Sequence, residues 1–113
     1  MVDYITISGR EYPVSVCWGA ICEYCDLIGV SKLIDIQQIM HSSPTQMTQF
    51  LWICLWYGAK QENQTEPEIK PTDLFILVDQ KVMIDFIKII SKRMAVEADP
   101  ETSNEDKKKA IGQ

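Results

Sequence analysis

Cys22 and Cys25, separated by Glu23 and Tyr24, have the spacing of a thiolate metal or redox pair. A structural zinc site needs two more ligands, from a second such pair or from suitably spaced histidines. The sequence holds a single histidine, His41, beyond the start of the next helical pattern. A thioredoxin-like pair would open a helix after a strand, whereas these two fall in mid-helix. Cys17, Cys22, Cys25 and Cys54 therefore read as reduced thiols acting as small apolar core residues. His41 stands just before Ser42-Ser43-Pro44, where it would suit the negative end of a helix dipole. No serine or cysteine nucleophile motif accompanies it. Glu23, Asp26 and Asp35 read as solvated helix faces, and no glycine-rich phosphate loop is present. The residue types give no catalytic, cofactor or metal assignment, so an enzyme is not expected.

The aromatic residues offer a different chemistry. Trp52 and Trp56 lie four apart with Tyr57 beside them, one face of a helix turn by turn. Such side chains pack cores, and they also concentrate at protein-binding hot spots. The candidate partner-binding residues are Trp52, Trp56 and Tyr57, with Phe86 and Ile90 from the last helical pattern as groove-lining candidates.

The elements that must position them begin with two β-prone runs, Tyr4–Ile7 and Tyr12–Val16, joined through Ser8-Gly9-Arg10-Glu11. Ile5 and Ile7 alternate with Tyr4, Thr6 and Ser8, and Tyr12, Val14 and Val16 repeat the pattern. Pro13 lacks an N–H and is expected to face an edge. Two strands alone are marginal, so one face must pack on a helix or pair with another subunit.

A first helix is expected over Cys17–Ile28, with Trp18, Ile21, Cys25 and Ile28 on its apolar stripe and Gly29 ending it. A short second helix is expected over Lys32–Met40, with Leu33, Ile36, Ile39 and Met40 buried. Ser43-Pro44-Thr45-Gln46 is the clearest helix start, a capping box with proline at the first position. That third helix should run from Pro44 to about Gln61. Its middle, Phe50–Tyr57, is apolar on nearly every side, as in a helix central to the core or covered by a partner. Gln61–Pro71 reads as a loop. Thr72 should cap a short helix over Asp73–Val78, and Asp79 a long one from Gln80 to about Ala98. On the last helix Val82, Phe86, Ile89, Ile90 and Met94 face inward, and Lys81, Asp85, Lys88 and Lys92 face water. The fold class is thus mainly α, an N-terminal β-hairpin followed by about five helices. Residues 1–98 form one domain, and 99–113 a charged tail expected to be disordered.

Composition narrows the partners. The formal net charge is −5. Residues 1–98 carry 8 basic and 12 acidic groups, a surface that repels nucleic-acid phosphates. No basic n-region opens the chain, and its longest apolar stretch, Phe50–Ala59, is half the roughly 20 residues a bilayer span needs. A cytoplasmic location is expected, without a membrane or nucleic-acid partner.

The order of elements resembles that of the tail assembly chaperones of long-tailed bacteriophages and gene transfer agents. The likeness lies in Gly9-Arg10-Glu11-Tyr12-Pro13-Val14, in the acidic helix from Trp18 that ends at Gly29, and in Leu33-Ile34-Asp35-Ile36. Leu51-Trp52-Ile53-Cys54-Leu55-Trp56-Tyr57-Gly58-Ala59 completes it, and the whole covers roughly residues 4–95. The resemblance implies a non-enzymatic factor of the host bacterial cytoplasm that binds the tape measure protein, recruits tail tube protein and forms homo-oligomers. Two alternatives stand beside it: a small phage structural or connector protein retained in the virion, and a host protein-binding adaptor.

Overall fold

The computed structural model describes residues 2–31, 38–39 and 41–98. An antiparallel hairpin, β1 (Asp3–Ile7) and β2 (Arg10–Val14), opens the chain. Four helices follow among the described residues: α1 (Trp18–Ile28), α2 (Pro44–Gln61), α3 (Pro71–Leu77) and α4 (Gln80–Ala98). The architecture is the expected one of a hairpin followed by helices. The helix expected over Lys32–Met40 lies outside the described residues except for Gln38 and Ile39, which are helical, Ile39 being buried. The tail 99–113 lies outside them too.

The hairpin is tighter than its sequence suggests. Its turn is Ser8-Gly9 alone, with φ of 53° and 81°, so β2 starts at Arg10 rather than Tyr12. Two successive left-handed residues give a turn whose twist matches that of the flanking strands. Ile7 then pairs with Arg10, Ile5 with Tyr12 and Asp3 with Val14. These are the pairs that exchange ladder bonds, because bonded and non-bonded pairs alternate from a two-residue turn. Pro13, opposite Tyr4, falls in a non-bonded pair, so its missing N–H costs the ladder nothing.

Ile5, Ile7, Tyr12 and Val14 all face inward and are buried against the helices. The α2 backbone comes unusually close: a Cβ on Gly58 would lie 2.4 Å from the Pro13 carbonyl oxygen and 2.6 Å from the Val14 nitrogen. Only glycine fits there. Just past β2, the Ser15 amide donates to the Cys54 carbonyl at 2.9 Å, and Gln61 Nε2 donates to Ser15 Oγ at 2.8 Å. At the other strand the Asp3 carboxylate receives Lys92 and Arg93 from α4. The helices thus supply the cover that two strands need.

Helix ends follow local chemistry. Ser43 and Gln46 form the capping box, each side chain bonded to the other's backbone N–H at 3.1 Å. Gly29 ends α1 at φ 76°. Asp79 Oδ1 accepts the Val82 amide at 2.9 Å. Two helix starts differ from expectation, and α3 ends at Leu77 rather than Val78. Cys17 is the N-cap of α1 rather than its first residue, and α3 starts at Pro71 with Lys70 before it, so Thr72 is helical and caps nothing. Proline's fixed φ suits the first helical position, which makes Pro71 the start.

The core is centred on α2. Tyr24 of α1 stacks on Phe50 at 4.5 Å between ring centroids, and Phe50 meets Phe86 of α4 at 5.5 Å. The Tyr24 hydroxyl donates to Ser42 Oγ at 2.5 Å, satisfying its polar tip. The buried face of α1 is Ala20, Ile21 and Tyr24. Trp18, expected on that face, is 60 % exposed. The helix is rotated so that Ala20 is buried and the flat Tyr24 ring meets Phe50 of α2, which turns its first residue to the outside.

Candidate protein-binding groove

α1 and α2 pack side by side, and the contact is set by a glycine facing a tyrosine. A Cβ on Gly19 would lie 2.8 to 2.9 Å from Cε1, Cζ and the hydroxyl of Tyr57. Its absence lets the Tyr57 ring lie on the α1 backbone. From there the phenol donates to Glu23 Oε1 at 3.2 Å. Desolvation by the neighbouring groups, and then the Glu23 charge, hold the Tyr57 phenol above its ordinary pKa.

Trp52 and Trp56 occupy the outward side of α2, one turn apart, ring edge to ring face with centroids 6.3 Å apart and planes at 87°. Lys60, a further turn on, places Nζ 5.6 Å from the centre of the Trp56 ring, a cation–π contact. Between these side chains and α1 runs an open depression of about 430 Å³, lined by Glu23, Trp52, Ile53, Trp56, Tyr57 and Lys60. Its aromatic walls are half-buried, held by the protein on one side and open on the other.

Three of the five sequence candidates, Trp52, Trp56 and Tyr57, therefore come together in one groove. The other two do not join them. Phe86 and Ile90 are 0 % exposed and belong to the core, where Phe86 rests on Phe50. A residue sealed beneath a neighbouring helix cannot line a surface groove. Glu23, Ile53 and Lys60 line the groove without having been singled out. The one available signal was the four-residue ladder Trp52, Trp56, Lys60 on the wheel of α2.

A second depression, about 480 Å³, lies between the starts of α2 and α4 and includes Met47, Val78, Met83 and Ile87. It has flexible aliphatic and thioether walls and no tryptophan or tyrosine. The aromatic groove is the better-defined surface, because rigid rings lose little entropy when a partner covers them.

Of the four thiols expected in the core, only one is fully there. Cys54 is buried and its thiol is pushed well above its ordinary pKa by desolvation, while Cys22 is exposed and Cys17 and Cys25 are half-buried. Among the described residues no three His, Cys, Asp or Glu side chains are placed to hold a metal ion. No described helix is long and apolar enough to cross a membrane. Compared with protein-family models, with curated proteins and with solved structures, the chain finds no match.

Proposed function

We propose that the chain is a non-enzymatic phage tail assembly chaperone, which holds an amphipathic helical segment of a tape measure protein and promotes tail tube assembly. One observation carries this reading: a groove walled by Trp52, Trp56 and Tyr57 between two helices, roomy enough for a row of large side chains. Helix-in-groove recognition uses apolar anchors at every third or fourth position of the guest helix, laid into such a trough. The element order and the Leu51–Ala59 stretch point the same way through the family resemblance.

The test is co-expression with a candidate tape measure protein, the long helical gene product that this reading expects in a neighbouring gene. A chaperone keeps that long protein in solution and co-purifies with it, and the double variant W52A/W56A loses the co-purification while remaining folded. If the tape measure protein precipitates equally with and without the chain, the proposal fails. Recovery of the chain in purified particles would favour a virion component instead.

A further inference from the structure

The two helices that wall the aromatic groove carry charge of opposite sign. α1 has two charged residues, Glu23 and Asp26, and both are acidic. They stand three apart, on neighbouring turns of one face. α2 has a single charged residue, Lys60. Glu23 lines the groove from the α1 side and Lys60 from the α2 side, with the Trp52 and Trp56 rings between helix backbone and solvent.

Neither charge is neutralised within the chain. Lys60 is exposed, and among the described residues no carboxylate lies within ion-pair distance of it. Its cation–π contact with Trp56 places the ammonium without cancelling it. The nearest carboxylate along the chain, Glu62, accepts the Tyr4 hydroxyl on the hairpin instead. Glu23 is exposed as well, and it accepts the Tyr57 hydroxyl through Oε1. That bond holds the carboxylate at the rim and leaves Oε2 and the full charge to a guest.

We propose, resting on the helix-in-groove reading above, that the guest is an amphipathic helix whose apolar stripe has borders of opposite charge, basic toward α1 and acidic toward α2. A helix laid between two others turns its apolar residues into the trough. Its flanking positions then face the two walls, as charged flanks do beside a coiled-coil seam. A guest with two acidic borders sets like charge against Glu23, and one with two basic borders sets like charge against Lys60. Only opposite borders match both walls. Rim charges of this kind select the partner more than they add affinity.

The probes are three synthetic peptides of about 18 residues, long enough to hold a helix, with one leucine stripe and no tryptophan. Their borders are lysine with glutamate, glutamate on both sides, or lysine on both sides. Fluorescence of Trp52 and Trp56 in the full chain reads binding at low ionic strength. Each peptide is compared between wild type and variant, so its own helicity cancels. Lys60→Glu should weaken the mixed-border peptide about fivefold and strengthen the two-lysine one. Glu23→Gln, which keeps an acceptor for Tyr57, should weaken the mixed peptide and strengthen the two-glutamate one. Lys88→Glu, exposed on α4, changes the net charge as Lys60→Glu does but away from the groove, and should move none by more than about twofold. If K60E and E23Q shift the peptides no more than K88E does, the proposal is overturned and the helix groove stands. If none of the three binds the wild type at up to about 1 mM, or W52A/W56A binds them as the wild type does, the groove reading falls and the proposal with it.

Discussion

Asp3, the first residue of β1, and Arg93, near the end of α4, close the chain on itself through two parallel hydrogen bonds. Arg93 Nε donates to Oδ2 at 2.8 Å and Nη2 to Oδ1 at 3.0 Å, with Lys92 Nζ also on Oδ1 at 2.8 Å. The Asp3 side chain is only 13 % exposed. Desolvation alone would raise its pKa, but the hydrogen bonds and charges of Arg93 and Lys92 outweigh it, and the carboxyl lies below its ordinary value.

A group whose pKa is lowered by folding stabilises the native state above its unfolded value, and that stability is lost as pH falls through the folded value. Asp3→Asn should therefore cost about 1.5–3 kcal/mol at pH 7, the range for hydrogen bonds to a charged group. Urea midpoints of the two proteins should converge below the ordinary carboxylate pKa. A gap that stays constant down to pH 3 would contradict this.

Gly58→Ala sets two effects against each other. Alanine is better than glycine within a helix by about 1 kcal/mol. Here the new methyl would meet the backbone of Pro13 and Val14, which cannot move aside as a side chain can. Overpacking of this kind costs about 1–3 kcal/mol or more, and a clash with main chain belongs at the upper end. A net loss is expected in thermal or denaturant unfolding.

Truncations should separate groove from core. Phe86→Ala removes a fully buried ring and should cost about 3–5 kcal/mol. W52A and W56A remove rings open to solvent on one side and should each cost less than half as much. Under the proposed function, binding of a tape measure segment responds in the opposite order, each variant being assayed where it is folded.

The thiols should report their surroundings. Cys22 should be alkylated in the native protein, whereas Cys54 should react only as fast as the core opens, orders of magnitude slower. Its raised pKa has a second consequence. Above the ordinary thiol value the unfolded chain releases a proton that the native state keeps, so stability falls as pH rises. Cys54→Ala should remove that part of the alkaline decline.

Much of this was legible in the sequence, for reasons visible at single residues. Ser43 and Gln46 announce a helix start because, three residues apart, each side chain can accept a backbone N–H that the first turn leaves without an intrahelical partner. The alternation of Ile5, Ile7, Tyr12 and Val14 fixes the inward face of the hairpin. Trp18 illustrates the limit. The stripe Trp18, Ile21, Cys25, Ile28 and the observed face Ala20, Ile21, Tyr24 share a residue and differ by a small rotation, and periodicity does not choose between them. The partner helix chose, through the Tyr24–Phe50 stack. Phe86 and Ile90 show the same limit at the site: a large apolar residue looks alike whether it lines a groove or fills a core. Gly19 and Gly58 mark close approaches that only the assembled fold reveals.

The bond from the Ser15 amide to the Cys54 carbonyl turns one backbone proton into a gauge. It belongs to the strand side of the molecule, yet its acceptor is a helix carbonyl far along the chain. Hydrogen–deuterium exchange at Ser15 therefore follows the docking of hairpin on helix. Exchange at Ile5 or Tyr12, whose amides serve the ladder, follows the hairpin itself. If Ser15 exchanges faster than those two, the hairpin lifts from α2 as an intact unit before its strands part.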